Sequence, residues 1–149
     1  MLHVELVHHD TRVPVAPVPG SAGQLLLPLT GDLNSFVQRM NTNSEDEVPS
    51  YRGVFAFNDL SVRKEGEYRL QFHLIEIVGT ECIHRNTIES DRFRVYQPKE
   101  FPGMQSSTRC TETLKKQGVK VRVKKAIRVP RGGAHVSASQ TFRLILCQV

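Results

Sequence analysis

Between Arg109 and Arg131 nine bases, Arg109, Lys115, Lys116, Lys120, Arg122, Lys124, Lys125, Arg128 and Arg131, face one acid, Glu112, so this short segment carries +8. The whole 149-residue chain carries only +5. Past Gly118, Lys120, Arg122 and Lys124 alternate with Val119, Val121 and Val123. In extended backbone successive side chains leave on opposite faces, so three valines turn to a core and three cations share an outer face. Such a face offers electrostatic chemistry: it draws a polyanion by counterion release, with affinity that ignores sequence and falls steeply with salt. A solvated strand that keeps the protein soluble uses the same residues, and charge alone does not separate the two readings. The stretch from Met1 to Glu47 is the reverse, with six acids against Arg12 and Arg39, a net −4.

Other chemistry finds little support in the spacing. There is no Gly-x-Ser-x-Gly elbow, phosphate-cradling Gly-rich loop or His-Glu-x-x-His helix. Cys82 and His84 fall on one side of an expected strand, with Cys110 and Cys147 as distant partners, but no Cys-x-x-Cys pair or second His at ligand spacing completes a zinc set. His8-His9 reads as a surface pair at a strand end, and Cys147, after Leu144-Ile145-Leu146, as an inert buried thiol. Glu89-Ser90-Asp91 reads as a side-chain-capped turn rather than an acid and base pair. The expectation is a protein without catalytic residues, metal, cofactor or small-molecule substrate. Few aromatics interleave with the cations, which disfavours a stacking platform for single strands. Duplex DNA is the expected polyanion, and Lys120, Arg122, Lys124, Lys125, Arg128 and Arg131 are the candidate DNA-binding residues.

The elements that must position these cations follow from hydrophobic period. Leu2, Val4 and Leu6 alternate with His3, Glu5 and Val7, a short strand starting almost at the first residue. Pro14, Pro17, Pro19, Gly20 and Gly23 break regular structure before the apolar patch Gln24 to Leu29, and Asn41 to Glu47 reads as a mobile surface loop. Phe55 and Phe57, then Leu60 and Val62, mark a second strand; Lys64-Glu65-Gly66-Glu67 a turn; and Tyr68, Leu70, Phe72 and Leu74 a third strand. The opposite face of that strand changes from wet at Arg69, Gln71 and His73 to dry at Ile75 and Ile77. Phe93 and Val95 repeat the alternation, and Phe101-Pro102-Gly103 fits a turn. One segment has helical signals: Ser107 or Thr108 to cap, Glu112 near the first turn, Lys115 and Lys116 in the last and Gly118 to stop, about three turns in all. Val119 to Val123 reads as a strand, Gly132-Gly133 as a break, and Phe142, Leu144 and Leu146 as a last strand.

Several short strands and one minor helix predict an all-β fold, an immunoglobulin-like sandwich or a barrel. With 39% hydrophobic and 23% charged residues the length suits one domain, 1–149. No apolar run approaches a membrane span, and Met1 to Glu5 lacks the start of a secretory signal, so a soluble, intracellular product is expected. Three cysteines with no close pair argue against a disulfide framework and suit a reducing compartment.

The segment Gly53-Val-Phe-Ala-Phe-Asn-Asp-Leu-Ser-Val-Arg63, followed by Glu65-Gly-Glu-Tyr-Arg-Leu-Gln-Phe-His-Leu-Ile-Glu-Ile77, resembles the central part of the velvet domain of fungal regulators. Ser90 to Tyr96, Lys99 to Gly103, Ser107-Thr108 and Gln117 to Lys125 follow in that domain's order and rough spacing. The best-matched core is 53–125. The resemblance implies a Rel-homology-like immunoglobulin sandwich, DNA binding as a homodimer or heterodimer with other velvet-domain proteins, and nuclear control of development, sporulation and secondary metabolism, with shuttling to the cytoplasm. Leu2 to Leu33 looks like the family's middle strands and variable insertion. The family's opening strand segment, which carries much of the DNA contact, has no counterpart here. That departure makes an interaction module, dimerising with other velvet proteins without binding DNA on its own, the alternative expectation.

Overall fold

Apolar residues recurring at every second position set most of the strands, and the breaks in that period set where the chain changes sheets. The computed structural model describes residues 1–41, 51–103, 106–121, 123 and 140–147. In chain order these form β1 (Leu2–His8), β2 (Val18–Pro19), β3 (Leu25–Leu26), β4 (Leu29–Thr30), β5 (Asn34–Ser35), β6 (Gln38–Asn41), β7 (Tyr51–Val62), β8 (Gly66–Val78), β9 (Glu81–Glu89), β10 (Phe93–Val95), α1 (Arg109–Lys116) and β11 (Gln140–Cys147). β8 organises one sheet, pairing with β1 along one edge and with β9 and β10 along the other, while β5 extends the sheet beyond β1. β7 organises the second, with β11 on one edge and β4 and β6 on the other. β2 and β3 form a separate two-stranded ladder. The architecture is the expected all-β, Rel-like sandwich with one short helix among the described residues.

The sheets meet through Leu2, Val4 and Leu6 of β1, Tyr68, Leu70 and Phe72 of β8, and Phe55, Phe57, Leu60 and Val62 of β7, all buried in one cluster. Phe57 and Phe72 cross at the centre with ring centroids 5.7 Å apart and planes tilted by 47°, a geometry that adds about 0.5–1.5 kcal/mol to burial alone. Phe55 and Phe57 are odd-numbered and Leu60 and Val62 even, yet all four face this core. A register shift explains it: Phe142 pairs with Leu60 and Leu144 with Phe57, so β7 carries an extra residue at Asn58-Asp59. A bulge restores the inward face after the break in alternation. Buried Ser35 ties the sheets together: its Oγ accepts from the Ala56 amide at 3.1 Å and donates to the Ala56 carbonyl at 3.0 Å.

β7 and β8 are consecutive but lie in opposite sheets, so the turn between them crosses the sandwich. Gly66 starts β8 with φ +148°, and a Cβ there would lie 2.8 Å from the Tyr68 hydroxyl oxygen, so Tyr68 folding back over it requires glycine. The Tyr68 hydroxyl donates to the Glu65 carbonyl at 3.0 Å.

Several expectations need correction. The far end of β8 does not become dry: Ile77 and Val78 are each 52% exposed, because β8 and β9 run on as a hairpin past the body of the sandwich. The helix has eight residues, nearer two turns than three. Val119 to Val121 and Val123 keep their alternation but form no strand ladder. A proline-led turn that was not expected forms at Gln97 to Glu100, closed by a 3.0 Å bond from the Glu100 amide to the Gln97 carbonyl, while Gly103 of Phe101-Pro102-Gly103 takes the expected positive φ, +101°. Of the expected loop Asn41 to Glu47, Asn41 ends β6 and the rest lies outside the described residues, as does Gly132-Gly133.

Candidate nucleic-acid interface

The helix that leads into the basic segment is specified by its ends. Thr108 is extended (φ −72°, ψ 160°), and its Oγ1 accepts from the Thr111 amide at 3.3 Å, the N-cap geometry that satisfies a first-turn donor. Glu112 in the first turn and Lys115 and Lys116 in the last complement the helix dipole. At the other end Gly118 takes φ +85°. Its amide donates to the Lys115 carbonyl and the Val119 amide donates to the Leu114 carbonyl, at 3.1 and 3.0 Å. This is a Schellman closure, and the apolar contact that accompanies it is Val119 against Leu114 within one buried cluster.

That cluster sits on the outer face of β7, away from the sandwich core. Leu114, Val119 and Val121 join Met40 of β6 and Val54 and Ala56 of β7, with half-buried Cys110 alongside. A side-chain clamp fixes the helix end laterally: Gln117 Nε2 donates to the Asn41 carbonyl at 2.7 Å and its Oε1 accepts from the Asn41 amide at 2.8 Å. One glutamine amide thus imitates a strand partner for the end of β6.

These constraints turn Lys120 outward. Val119 and Val121 are buried on either side of it, while Lys120 is exposed, as are Arg109, Lys115 and Lys116. Among the described residues none of these four cations has a carboxylate within ion-pair distance. Lys120 does share a cleft of about 380 Å³ with Asp32, Asn58, Asp59 and Val121. The bulge of β7 supplies Asn58 and Asp59, and Asp59 Oδ1 accepts from the Asp32 amide at 2.9 Å. Gly31 makes that approach possible: it has φ +106°, and a Cβ there would lie 2.4 Å from the Asp59 carbonyl oxygen. Of the six residues expected to meet DNA, Lys120 is therefore placed on the surface. Arg122, Lys124, Lys125, Arg128 and Arg131 lie outside the described residues.

A sequence model of the velvet factor family matches residues 8–128. The chain belongs to the velvet family. Among velvet proteins it is 48% identical over 85 residues to the spore development regulator umv1 of Mycosarcoma maydis, across 57% of this chain and 10% of that protein. It is 40% identical over 116 residues to the spore development regulator vosA of Penicillium rubens, across 78% of this chain and 27% of that protein. With the developmental and secondary metabolism regulator veA of Dothistroma septosporum it shares 36% over 101 residues. The chain spans 10% and 27% of the length of these two spore development regulators.

Proposed function

We propose that this velvet protein is a regulator of development, sporulation and secondary metabolism that binds duplex DNA, as a homodimer or with a second velvet subunit, and that it acts in the nucleus, shuttling with the cytoplasm. The observation that carries the reading is the placement of Lys120. Buried valines on both sides, a helix stop and a glutamine clamp hold its backbone, and the side chain projects with Arg109, Lys115 and Lys116 from the segment that concentrates the positive charge. The names of its relatives supply the biological setting. In this reading phosphate contacts provide the affinity, with little base reading and no catalytic step.

A salt titration of duplex binding tests it. Neutralising four to six phosphates corresponds to a log–log slope of roughly −4 to −5, and Lys120→Gln is expected to reduce its magnitude by about 1 while weakening all sequences alike. A slope near zero removes the reading.

A second reading is favoured by the end of β8. There Ile77 and Val78 hold their apolar side chains half exposed to solvent. Exposed apolar side chains of this kind suit contact with another chain, the behaviour of a velvet interaction module without DNA binding of its own. Mixing the chain with duplex, alone and then with a full-length velvet partner, separates the two: a mobility shift only in the partner's presence favours the module.

A further inference from the structure

The outer face of the β8 sheet carries a row of imidazoles that the proposed function does not use. His3, His73 and Thr87 occupy matched positions on β1, β8 and β9. His84 would face the other way from Thr87 in an unbroken strand, being three residues from it. A bulge between the pairs Leu74–Asn86 and Ile75–His84 leaves Arg85 as the extra residue and turns His84 onto the same face. Re-aiming one side chain is what a bulge does. The result is that two imidazole nitrogens meet one hydroxyl: His73 Nδ1 lies 3.1 Å and His84 Nε2 2.8 Å from Thr87 Oγ1, with ring centroids 5.8 Å apart.

We propose that His73 and His84 form a two-imidazole site for a divalent first-row metal ion of the zinc class, bound across the β8–β9 hairpin between the two rings once the Thr87 hydroxyl turns aside. Neutral imidazole is a preferred ligand of zinc, copper and nickel. The hydroxyl carries a single proton, so it donates to one ring and accepts from the other. Glu5 Oε2 lies 3.8 Å from His73 Nε2, too long for a hydrogen bond; closing that gap would put it behind the ring as the carboxylate partner of a ligating histidine. Both nitrogens need to close to about 2.0–2.1 Å from the ion, and His84, exposed on β9, is free to do so by side-chain rotation. Among the described residues no three His, Cys, Asp or Glu side chains gather as a complete metal group, so water fills the remaining positions. His3 stacks on His73 at 6.4 Å but gives its Nδ1 to Asn34 Oδ1 at 2.9 Å, which makes it a support for His73. Binding there staples the hairpin beneath its exposed Ile77 and Val78 end.

Isothermal calorimetry of the full chain with zinc chloride in a chelator-free, weakly coordinating buffer tests the site. One ion per chain is expected, with His84→Ala and His73→Gln each weakening binding at least tenfold and Glu5→Gln by about tenfold. Circular dichroism checks that each variant is folded, and exposed His84 provides the change least able to disturb the fold. The proposal is overturned if the parent chain takes up no zinc, if folded His84→Ala binds it as tightly as the parent, or if uptake is lost instead in His8→Ala with His9→Ala or in Cys82→Ser.

Discussion

The two faces of β7 are buried in different ways. Inward, Phe55, Phe57, Leu60 and Val62 meet large side chains of β1 and β8, and Phe57, Leu60, Leu70 and Phe72 are at most 1% exposed. Outward, among the described residues, Val54 and Ala56 are covered by a short helix and the turn after it, and Met40, Ala56, Val119 and Val121 keep 8–9% exposure. The inner cluster is a continuous sandwich core drawn from many strands. Among the described residues the outer one is smaller, and half of it, Leu114, Val119 and Val121, comes from the segment it positions. The difference separates roles: the inner face determines whether the chain folds, and the outer face determines where the basic segment sits.

Phe72→Ala should test the inner face hardest. Removing a fully buried ring that packs on Phe57 is expected to cost about 3–5 kcal/mol, read as a lower urea midpoint with an unchanged slope and loss of near-ultraviolet dichroism. If it costs no more than a change on the outer face, the ranking of the two clusters is wrong. Leu114→Ala comes next, at about 2–3 kcal/mol by the same cavity argument. Its signature should be local: hydrogen exchange accelerates at Glu112 to Val119 while β1 and β8 keep their protection, and duplex affinity falls although the sandwich persists. Equal acceleration everywhere would show that the two faces unfold as one unit. Thr108→Ala is the mildest. Loss of the N-cap is expected to remove about 1 kcal/mol, lowering Tm by a few degrees and fraying the first turn without altering the exchange of β8.

The contrast also explains what was readable beforehand. Period-two alternation announces β1, β7 and β8 because each has one strongly apolar face, and the helix announces itself through Thr108 and Gly118, residues whose types are demanded by cap geometry. The shift in parity between Phe57 and Leu60 was visible, but only the pairing with β11 identifies it as a bulge. Long-range partners carry no local signal. The Gln117–Asn41 clamp joins residues 76 apart, and nothing in the alternation after Gly118 says that Val119 and Val121 pack under a helix end. The sequence set His84 beside Cys82, and its meeting with His73 is hidden for a related reason. Ligand searches look for short spacings, whereas these two residues meet through a hairpin register that a single extra residue, Arg85, determines. Outward projection of the basic segment was legible as far as Lys120.

Gly31 turns one such long-range contact into a rule about variation. A side chain at this position meets two separate obstacles, an uncommon backbone region and the carbonyl of a residue 28 positions away; relaxing either leaves the other in place. Saturation mutagenesis should therefore recover almost nothing but glycine at codon 31, while the exposed neighbouring Asp32 accepts substitution freely as far as folding is concerned.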